Sequence, residues 1–337
     1  MKTILVIGGA GYIGSHTVVE LLKVGYEVII VDNFSNSHPI YLNKLFKLCT
    51  DLVGKRPIFY NRDARSILVS IFSKHKIDGV IHFAAHKSVS ESIEKPLEYY
   101  DNNLNSIMTI LNDCKNFNIK NIVFSSSCSL YGEVDTLPVR ETTTLSQTKS
   151  PYAMTKLIGE RVISDFCRAH PHHKGVALRY FNPVGAHLSG LIGEDQIMGC
   201  SNLLPIICNS VSGAEMTVYG SDYDTPDGTC IRDYIHVSDI AQAHVLALEY
   251  MQERMESHFD VFNLGSDTGV SVLELINEFE RVNGVKVNYK MGSRREGDVI
   301  KIYSDSTKAK QSLNWKPKHN TEDVVLTAWK WHNNQQL

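Results

Sequence analysis

Short apolar runs alternate with longer amphipathic stretches over the first third of the chain. The runs at residues 4–6, 28–31, 80–83 and 122–124 are rich in Val, Ile and Phe and show no polar alternation. Continuously apolar runs are typical of parallel strands that helices cover on both faces. The pattern over residues 3–125 therefore predicts an α/β fold built on a doubly wound parallel sheet.

The pattern changes after Phe181, where glycine and proline punctuate the chain and clear strands become fewer. Helical periodicity returns at residues 238–250, with Ser238 as the expected N-cap. This predicts two interleaved lobes. Residues 1–182 form the larger lobe, with residues 236–262 returning to it, and residues 183–235 and 263–337 form a smaller C-terminal α/β lobe.

Three glycines follow the first predicted strand at Gly-x-x-Gly-x-x-Gly spacing, and a helical stretch at residues 15–24 comes after them. Gly8, Gly11 and Gly14 provide a tight turn, close backbone approach to a pyrophosphate, and close packing of the helix on its strand. Glycine-rich turns also serve ordinary strand-helix connections. In a βαβ context the spacing indicates the dinucleotide site of a Rossmann fold.

Asp32 ends the second strand, 18 residues after Gly14. A carboxylate at this distance reaches the 2'-hydroxyl of an adenosine ribose, and it repels the 2'-phosphate of NADP, so it favours NAD. The alternative is that Asp32, Asn33 and Asn36 only shape a turn. Farther along the chain, Asp63 and the segment 83–87 are expected to lie at strand ends that face the same crevice.

Tyr152 and Lys156 lie four residues apart at the start of a predicted helix, with Ser150 as its N-cap and Pro151 in its first turn. Residues at this spacing share one helix face. An ammonium group beside the phenol, near a helix N-terminus and an oxidised nicotinamide, is expected to lower the pKa of Tyr152 toward working pH. Such a tyrosine can take a proton from a sugar hydroxyl and return it. The alternative is an exposed tyrosine packed over the lysine stem.

Ser127 is the last of three serines after the fourth predicted strand, where a doubly wound sheet meets its ligand. It is a candidate to pass the proton between substrate and Tyr152. The alternative is a serine-rich turn that satisfies its own backbone. The glycine loop, the Tyr-Lys pair and Ser127 together favour an active site.

Composition and charge argue against several classes of protein. The 337 residues carry a net charge of -3, which gives no footprint for nucleic acid or an anionic membrane, and no apolar run is long enough to span a bilayer. Seven irregularly spaced cysteines fit a reducing cytoplasm. Since there is no Cys-x-x-Cys and His172 and His173 fit a solvated loop, no metal site is expected.

Longer motifs give the chain a specific resemblance, which covers nearly its whole length. It resembles the extended short-chain dehydrogenase/reductase family and, within it, the nucleotide-sugar 4-epimerases. The motifs that carry the resemblance are GGAGYIGSHT from Gly8, VDN from Val31, FAAHK from Phe83, YYDNN from Tyr99, SSS from Ser125, YAMTK from Tyr152, RYFNPVGA from Arg179 and IRDYIHV from Ile231.

The resemblance implies an isomerase with a resident NAD, which interconverts UDP-glucose and UDP-galactose through a 4-keto intermediate. It implies Ser127, Tyr152 and Lys156 as catalytic residues. The implied NAD-binding residues are Gly8, Gly11, Tyr12, Ile13, Gly14, Asp32, Asn33, Asn36, Asp63, Phe83, Ala84, Lys87, Asn102 and Tyr180. The implied UDP-sugar residues are Lys87, Ser127, Tyr152, Phe181, Asn182, Asn202, Leu203, Tyr219, Arg232, Arg295, Asp298 and Ile302.

Substrate breadth stays open. Family members that exclude N-acetyl sugars carry a large aromatic residue four positions after the counterpart of Asp298, and members that admit these sugars carry a small one. Ile302 stands here, with Tyr303 next to it as an alternative alignment. An N-acetylglucosamine or dual-specificity 4-epimerase is therefore the first alternative.

More distant alternatives are a nucleotide-sugar dehydratase or reductase and a non-catalytic NAD-sensing protein. Ala85 and His86 depart from the Gly-Leu that the family often has before the counterpart of Lys87, and Cys128 is also unusual.

The apolar stripes at residues 97–117 and 152–169 resemble the family's dimer helices, so a homodimer is expected.

Overall fold

The computed structural model describes residues 1–66, 68–145, 148, 150–194, 202–253, 256, 258–295 and 298–335. Its centre is a seven-stranded parallel sheet in the order β3-β2-β1-β4-β5-β6-β11. These strands are β1 (Thr3–Ile7), β2 (Glu27–Asp32), β3 (Ile58–Asn61), β4 (Gly79–His82), β5 (Asn121–Ser127), β6 (Lys174–Tyr180) and β11 (His258–Leu264). The predicted doubly wound α/β fold is confirmed.

Helices cover both faces of this sheet, and for this reason its inner strands are almost wholly buried and apolar. One core cluster joins Val6, Ile30 and Val176 to helices on one face, and a second joins Leu5, Val80 and Phe124 to helices on the other. The helices up to β11 are α1 (Tyr12–Lys23), α2 (Pro39–Val53), α3 (Val69–Lys74), α4 (Val89–Glu94), α5 (Pro96–Asn116), α6 (Pro151–Ala169), α7 (Leu203–Val211) and α8 (Val237–Gln252).

The remaining strands form three small sheets. Strands β7 (Asn182–Val184) and β10 (Tyr234–His236) pair in parallel, and β8 (Met216–Tyr219) pairs in parallel with β13 (Tyr289–Gly292). Strand β9 (Ile231–Arg232) lies between β12 (Val270–Ser271) and β14 (Lys301–Ile302). Helices α9 (Val272–Asn283), α10 (Thr307–Ser312) and α11 (Thr321–Asn333) complete the chain, and α9 and α11 pack in a third core cluster with α7.

Several boundaries differ from the sequence-based predictions. Helix α1 begins at Tyr12, three residues earlier than predicted, and the three serines 125–127 belong to β5 instead of following it. Ser238 is not an N-cap, because the side chain of His236 accepts the hydrogen bond from the Ser238 amide and α8 already begins at Val237. The predicted cap of α6 is confirmed, since Ser150 accepts from the Ala153 amide at 3.2 Å.

The strand order reverses between β1 and β4, and the carboxyl ends of these strands open a crevice at the reversal. Gly8 closes the end of β1 with φ of +81°, and a Cβ on it would lie 2.7 Å from the Ala84 amide nitrogen after β4. Only glycine therefore lets the two loops approach this closely. Among the described residues, no helix is long and apolar enough to cross a membrane.

Candidate active site

A cavity of about 670 Å³ lies at the carboxyl edge of the large sheet, over the reversal between β1 and β4. It brings together the glycine loop, the Tyr-Lys pair and residues from the loops that follow β2 through β6. The predicted site residues that line it are Gly8, Gly11, Tyr12, Ile13, Gly14, Asp32, Asn33, Asn36, Asp63, Phe83, Ala84, Lys87, Asn102, Ser127, Tyr152, Lys156, Tyr180, Phe181 and Asn202.

The glycine loop presents the free N-terminus of α1 to this cavity. The N-cap residue Gly11 has no side chain to bond the first amides of the helix, and Tyr12 and Ile13 lie at its first two positions. A Cβ on Gly14 would lie 2.3 Å from the carbonyl oxygen of Gly8. Helix amides without a side-chain cap, beside glycines that let a ligand come close to the backbone, fit a pyrophosphate.

Asp32 lies at the end of β2, where it lines the cavity and also shapes the loops around it. Its Oδ2 accepts from the Ala10 amide at 3.0 Å, and its Oδ1 accepts from the Phe34 amide at 2.9 Å. Burial raises the pKa of this carboxyl, and these amide bonds oppose the rise. Both sequence-based interpretations of Asp32 therefore have a structural basis.

Asp63 lines the cavity as Asp32 does, and its carboxyl group is ionised. Arg65 bonds its two oxygens at 3.1 and 2.9 Å, and the Asn33 amide group donates to it at 3.1 Å. The hydrogen bond from Arg65 lowers the pKa of Asp63 to about 2. This carboxylate stays ionised and can accept hydrogen bonds from a ligand at any working pH.

The catalytic candidates lie where α6 meets the end of β5. Helix α6 packs closely here, because a Cβ on Gly159 would come within 2.7 Å of the Phe124 ring. Ser127 hydrogen-bonds the phenol of Tyr152. Lys156 is buried, donates to the Ser125 carbonyl oxygen at 2.7 Å, and has its Nζ 5.8 Å from the Tyr152 ring centre.

The protein groups around Tyr152 do not by themselves lower its pKa, and the predicted lowering, which also involves an oxidised nicotinamide, stays a prediction. Burial raises the pKa of Tyr152 to about 12, against a smaller opposite effect of the Ser127 hydrogen bond. Burial also lowers the pKa of Lys156 to about 7, so that this amine is only partly charged at neutral pH. The hydrogen bond of this amine goes to the Ser125 carbonyl oxygen, so that Lys156 acts on Tyr152 through its charge.

A second group of predicted residues lies beyond the cavity, around Asp298. Arg295 bonds Asp298 at 2.7 Å, Arg232 lies 3.6 Å from the same oxygen, and the Arg295 guanidinium lies 5.7 Å from the Tyr219 ring centre. Guanidinium groups are the side chains that pair best with phosphate oxygens, and two of them lie side by side here.

Ile302 connects this second group to the cavity. It pairs in register with Arg232 and packs against Phe181, which lines the cavity. Tyr303 instead lies beside Gly269. Two further predicted residues begin neighbouring elements, since Asn182 starts β7 and Leu203 starts α7.

Sequence reasoning missed Glu194, whose side chain is largely buried in the cavity wall. Its carboxylate accepts from Lys87 at 3.1 Å and also from the side-chain amide of Asn202. It thereby ties together two residues that were predicted separately. No motif or spacing in the sequence marks this glutamate. Among the described residues, no cluster of three or more His, Cys, Asp or Glu side chains could hold a metal ion.

Comparison with known proteins agrees with this architecture. Residues 4–265 match the model of the NAD dependent epimerase/dehydratase family, and the chain belongs to that family. The chain is 46% identical over 333 residues to the UDP-glucose 4-epimerase of Yersinia enterocolitica, a match that covers 98% of this chain and 97% of that protein.

Two solved structures are similar over almost their whole length. The UDP-glucose-4-epimerase of Stenotrophomonas maltophila, with bound NAD and formylated UDP-arabinopyranose, is 40% identical with a TM-score of 0.95, covering 100% of this chain and 99% of that one. The UDP-glucose 4-epimerase of Bifidobacterium longum, in complex with NAD+ and UDP, is 43% identical with a TM-score of 0.93, covering 99% of each chain.

Proposed function

We propose that this chain is an NAD-dependent isomerase that interconverts UDP-glucose and UDP-galactose at C4 of the hexose through a 4-keto intermediate. The observation that carries the proposal is the single cavity that holds both a dinucleotide cradle and the Ser127, Tyr152 and Lys156 group. A cofactor site and a proton-transfer site in one cavity fit a reaction in which hydride and proton leave the same carbon.

NAD fits the cradle formed by the glycine loop and the first amides of α1. We assign Asp32 and Asn36 to the adenosine ribose and Asp63 to the adenine side, and all three line the cavity together with Tyr180. The other residues proposed to hold the cofactor are Gly8, Gly11, Tyr12, Ile13, Gly14, Asn33, Phe83, Ala84, Lys87 and Asn102. The chemistry that bound NAD supplies is reversible acceptance of hydride from C4.

Tyr152 is the proposed base. It takes the proton of the 4-hydroxyl, directly or through Ser127, and returns it after the 4-keto sugar has presented its other face. Because burial raises the pKa of Tyr152 to about 12, the phenolate needs a cation to form near neutral pH. Lys156 supplies a positive charge one helical turn away, and the positive nicotinamide ring would add to it.

The UDP portion is proposed to bind between the cavity and the group around Asp298. Arg232 and Arg295 pair with the diphosphate, and Asp298 holds the two guanidinium groups in place. Ile302 closes the hexose end beside Phe181. The remaining proposed contacts are Lys87, Ser127, Tyr152, Asn182, Asn202, Leu203 and Tyr219. Because residue 302 is an aliphatic isoleucine and not a large aromatic residue, activity on N-acetylated UDP-hexoses is the first alternative function.

The two lobes predicted from the sequence are proposed to bind different parts of the two ligands. Residues 1–182 and 236–262 form the NAD-binding lobe, which also carries the catalytic group, and residues 183–235 and 263–337 form the lobe that holds the diphosphate of the UDP-sugar. The positions of α8 against α1 and of β11 in the large sheet support this division.

We also propose a cytoplasmic homodimer in which α5 and α6 pair across a two-fold axis, and the exposed Leu97 and Met108 on α5 support this contact.

The assay that tests the function uses purified protein with UDP-galactose and no added cofactor. We expect UDP-glucose to form without net reduction of NAD, and we expect NAD to appear when the protein is denatured. Formation of a 4-keto-6-deoxy sugar would instead identify a dehydratase, and net nicotinamide turnover would identify a reductase. Absence of any conversion, with NAD bound, would favour a sensing protein. A parallel assay with UDP-N-acetylgalactosamine measures substrate breadth.

Removing the positive charge of Lys156 is expected to move activity to higher pH. The Lys156→Ala variant loses the cation that favours the phenolate, so the pKa of Tyr152 rises and the ascending limb of the rate-pH profile moves up by about one unit or more. The Lys156→Arg variant retains a cation and should shift less. A Lys156→Ala profile that coincides with wild type would contradict the coupling.

A further inference from the structure

A buried carboxylate lies one helical turn beyond Lys156 and belongs to none of the roles assigned above. Glu160 follows Lys156 by four residues on α6, so Tyr152, Lys156 and Glu160 share one face of the helix. Its side chain is only 6% exposed. A buried carboxylate at this depth requires partners that compensate the lost water.

Those partners come from the two strands beneath the catalytic group. Arg179 on β6 bonds both oxygens of Glu160, at 2.9 and 2.7 Å, and Ser126 on β5 donates to Oε1 at 2.5 Å. Arg179 also donates to the Tyr131 hydroxyl at 2.8 Å. Glu160 therefore fixes α6 to the ends of β5 and β6.

The anchored residues stand next to the catalytic ones. Ser126 lies between Ser125, whose carbonyl oxygen accepts from Lys156, and Ser127, which bonds Tyr152. A shift of Ser126 moves both neighbours, because all three belong to β5. The position of the proton-transfer group thus depends on the Glu160 carboxylate.

The same carboxylate acts on the charge of Lys156. Burial lowers the pKa of Lys156, and the negative charge of Glu160 is what opposes this lowering. The aromatic ring of Phe124 lies 5.0 Å from the Lys156 Nζ. The other titratable or charged groups around this pair are Tyr152 on the same helix, His82 on β4, Cys128 after β5, and Arg179 and Tyr180 on β6.

We propose that Glu160 is a positioning residue for the epimerase reaction, which holds β5 against α6 through Ser126 and Arg179 and keeps the Lys156 amine protonated beside Tyr152. The proposal rests on the function proposed above. On this proposal the active form has lost one proton from Tyr152 while Lys156 keeps its own, and the two groups are therefore expected to titrate as a pair. Glu160 is four residues from Lys156 and eight from Tyr152 on α6, so its negative charge acts more strongly on Lys156. It therefore favours the active form, a phenolate beside an ammonium group, over the inactive form, a phenol beside a neutral amine.

The Glu160→Gln variant separates this role from simple support of the fold. Without the negative charge of Glu160, the first proton of the Tyr152 and Lys156 pair is lost at a lower pH. This proton then comes from Lys156 more often than in wild type. We therefore expect the acid limb of kcat to move down by about one pH unit and the maximal kcat to fall about tenfold, with KM changed by less than about threefold. The matched control is Asp165→Asn, which removes an exposed carboxylate from the same helix.

A second variant keeps the test valid where Glu160→Gln folds poorly. In Glu160→Asp the charge stays but the shorter side chain cannot reach Ser126 and Arg179 together. We expect kcat to fall while the acid limb stays at the wild-type pH. An unchanged limb in Glu160→Gln, an equal shift in Asp165→Asn, or wild-type kcat in Glu160→Asp would each overturn the proposal.

A readout without turnover separates this proposal from the proposed function. Tyrosinate absorbance of the NAD-bound protein, after subtraction of the matching Tyr152→Phe protein, reports the Tyr152 phenolate directly. Above the acid limb we expect a smaller signal in Glu160→Gln than in wild type. An equal signal overturns the role of Glu160, whereas a wild-type protein that forms phenolate but converts no UDP-sugar overturns the epimerase assignment alone.

Discussion

Replacing Tyr152 with phenylalanine is expected to lower kcat about 10³-fold, because the change removes the proton-transfer group and little else. The aromatic ring remains, and Ser127 loses one hydrogen-bond partner that water can replace. We expect the Kd for UDP-glucose to stay within about threefold of wild type, since the proposed diphosphate contacts are Arg232 and Arg295. Steady-state kinetics and calorimetric titration measure the two quantities separately.

Tyr60→Phe is the matched control for this variant. Tyr60 also carries a bonded hydroxyl, 2.8 Å from His75, but it lies on β3 and does not line the cavity. Near-normal turnover in Tyr152→Phe would remove Tyr152 from the proposed role. A comparable loss in Tyr60→Phe would mean that the activity responds to any removed hydroxyl.

The elements best predicted from the sequence are those whose local pattern and burial agree. The inner residues of β1, β2, β4 and β5 are mostly apolar and buried, and the glycine loop and Ser150 mark helices that follow these strands. In each case, local propensity and tertiary environment point to the same structure.

Strands β6 and β11 were missed because their charged residues obscure the pattern. Strand β6 is wholly buried although it contains Lys174 and Arg179. The Lys174 ammonium donates to the Met251 carbonyl, and Arg179 pairs with Glu160, a partner 19 positions earlier on α6. Partners this far apart produce no periodic pattern in the sequence. A buried charged residue is therefore interpreted as an exposed one.

The site shows the same division between local and distant information. Spacing placed Tyr152 and Lys156 on one helix face, and the structure has them there. Spacing did not indicate that Lys156 would turn to the Ser125 carbonyl, nor that burial would weaken its charge. The roles of Glu160 and Glu194 depend on contacts between separate elements, which only the folded structure shows.

The Gly14→Ala variant is expected to lose its bound NAD. The added Cβ would stand 2.3 Å from the Gly8 carbonyl oxygen and 2.9 Å from the Gly9 Cα, both of them backbone atoms that cannot rotate away. The glycine loop must therefore shift relative to α1, which displaces the amides that face the pyrophosphate. Because the pyrophosphate then loses its backbone hydrogen bonds at the helix N-terminus, we expect less than about a tenth of the wild-type NAD content.

The neighbouring substitutions show whether the lost space or general damage is responsible. In Gly11→Ala the new Cβ meets only the Gly8 oxygen, at 3.3 Å, and a partial loss of NAD is expected. Ser15→Ala removes a 2.9 Å hydrogen bond to the Tyr12 carbonyl, which costs about 1 kcal/mol of stability, but it leaves the cradle open. Nucleotide released on denaturation and the Tm are measured for all three variants. Full NAD content in Gly14→Ala would place the dinucleotide elsewhere, because a cradle that tolerates this methyl group cannot be in close contact with a pyrophosphate.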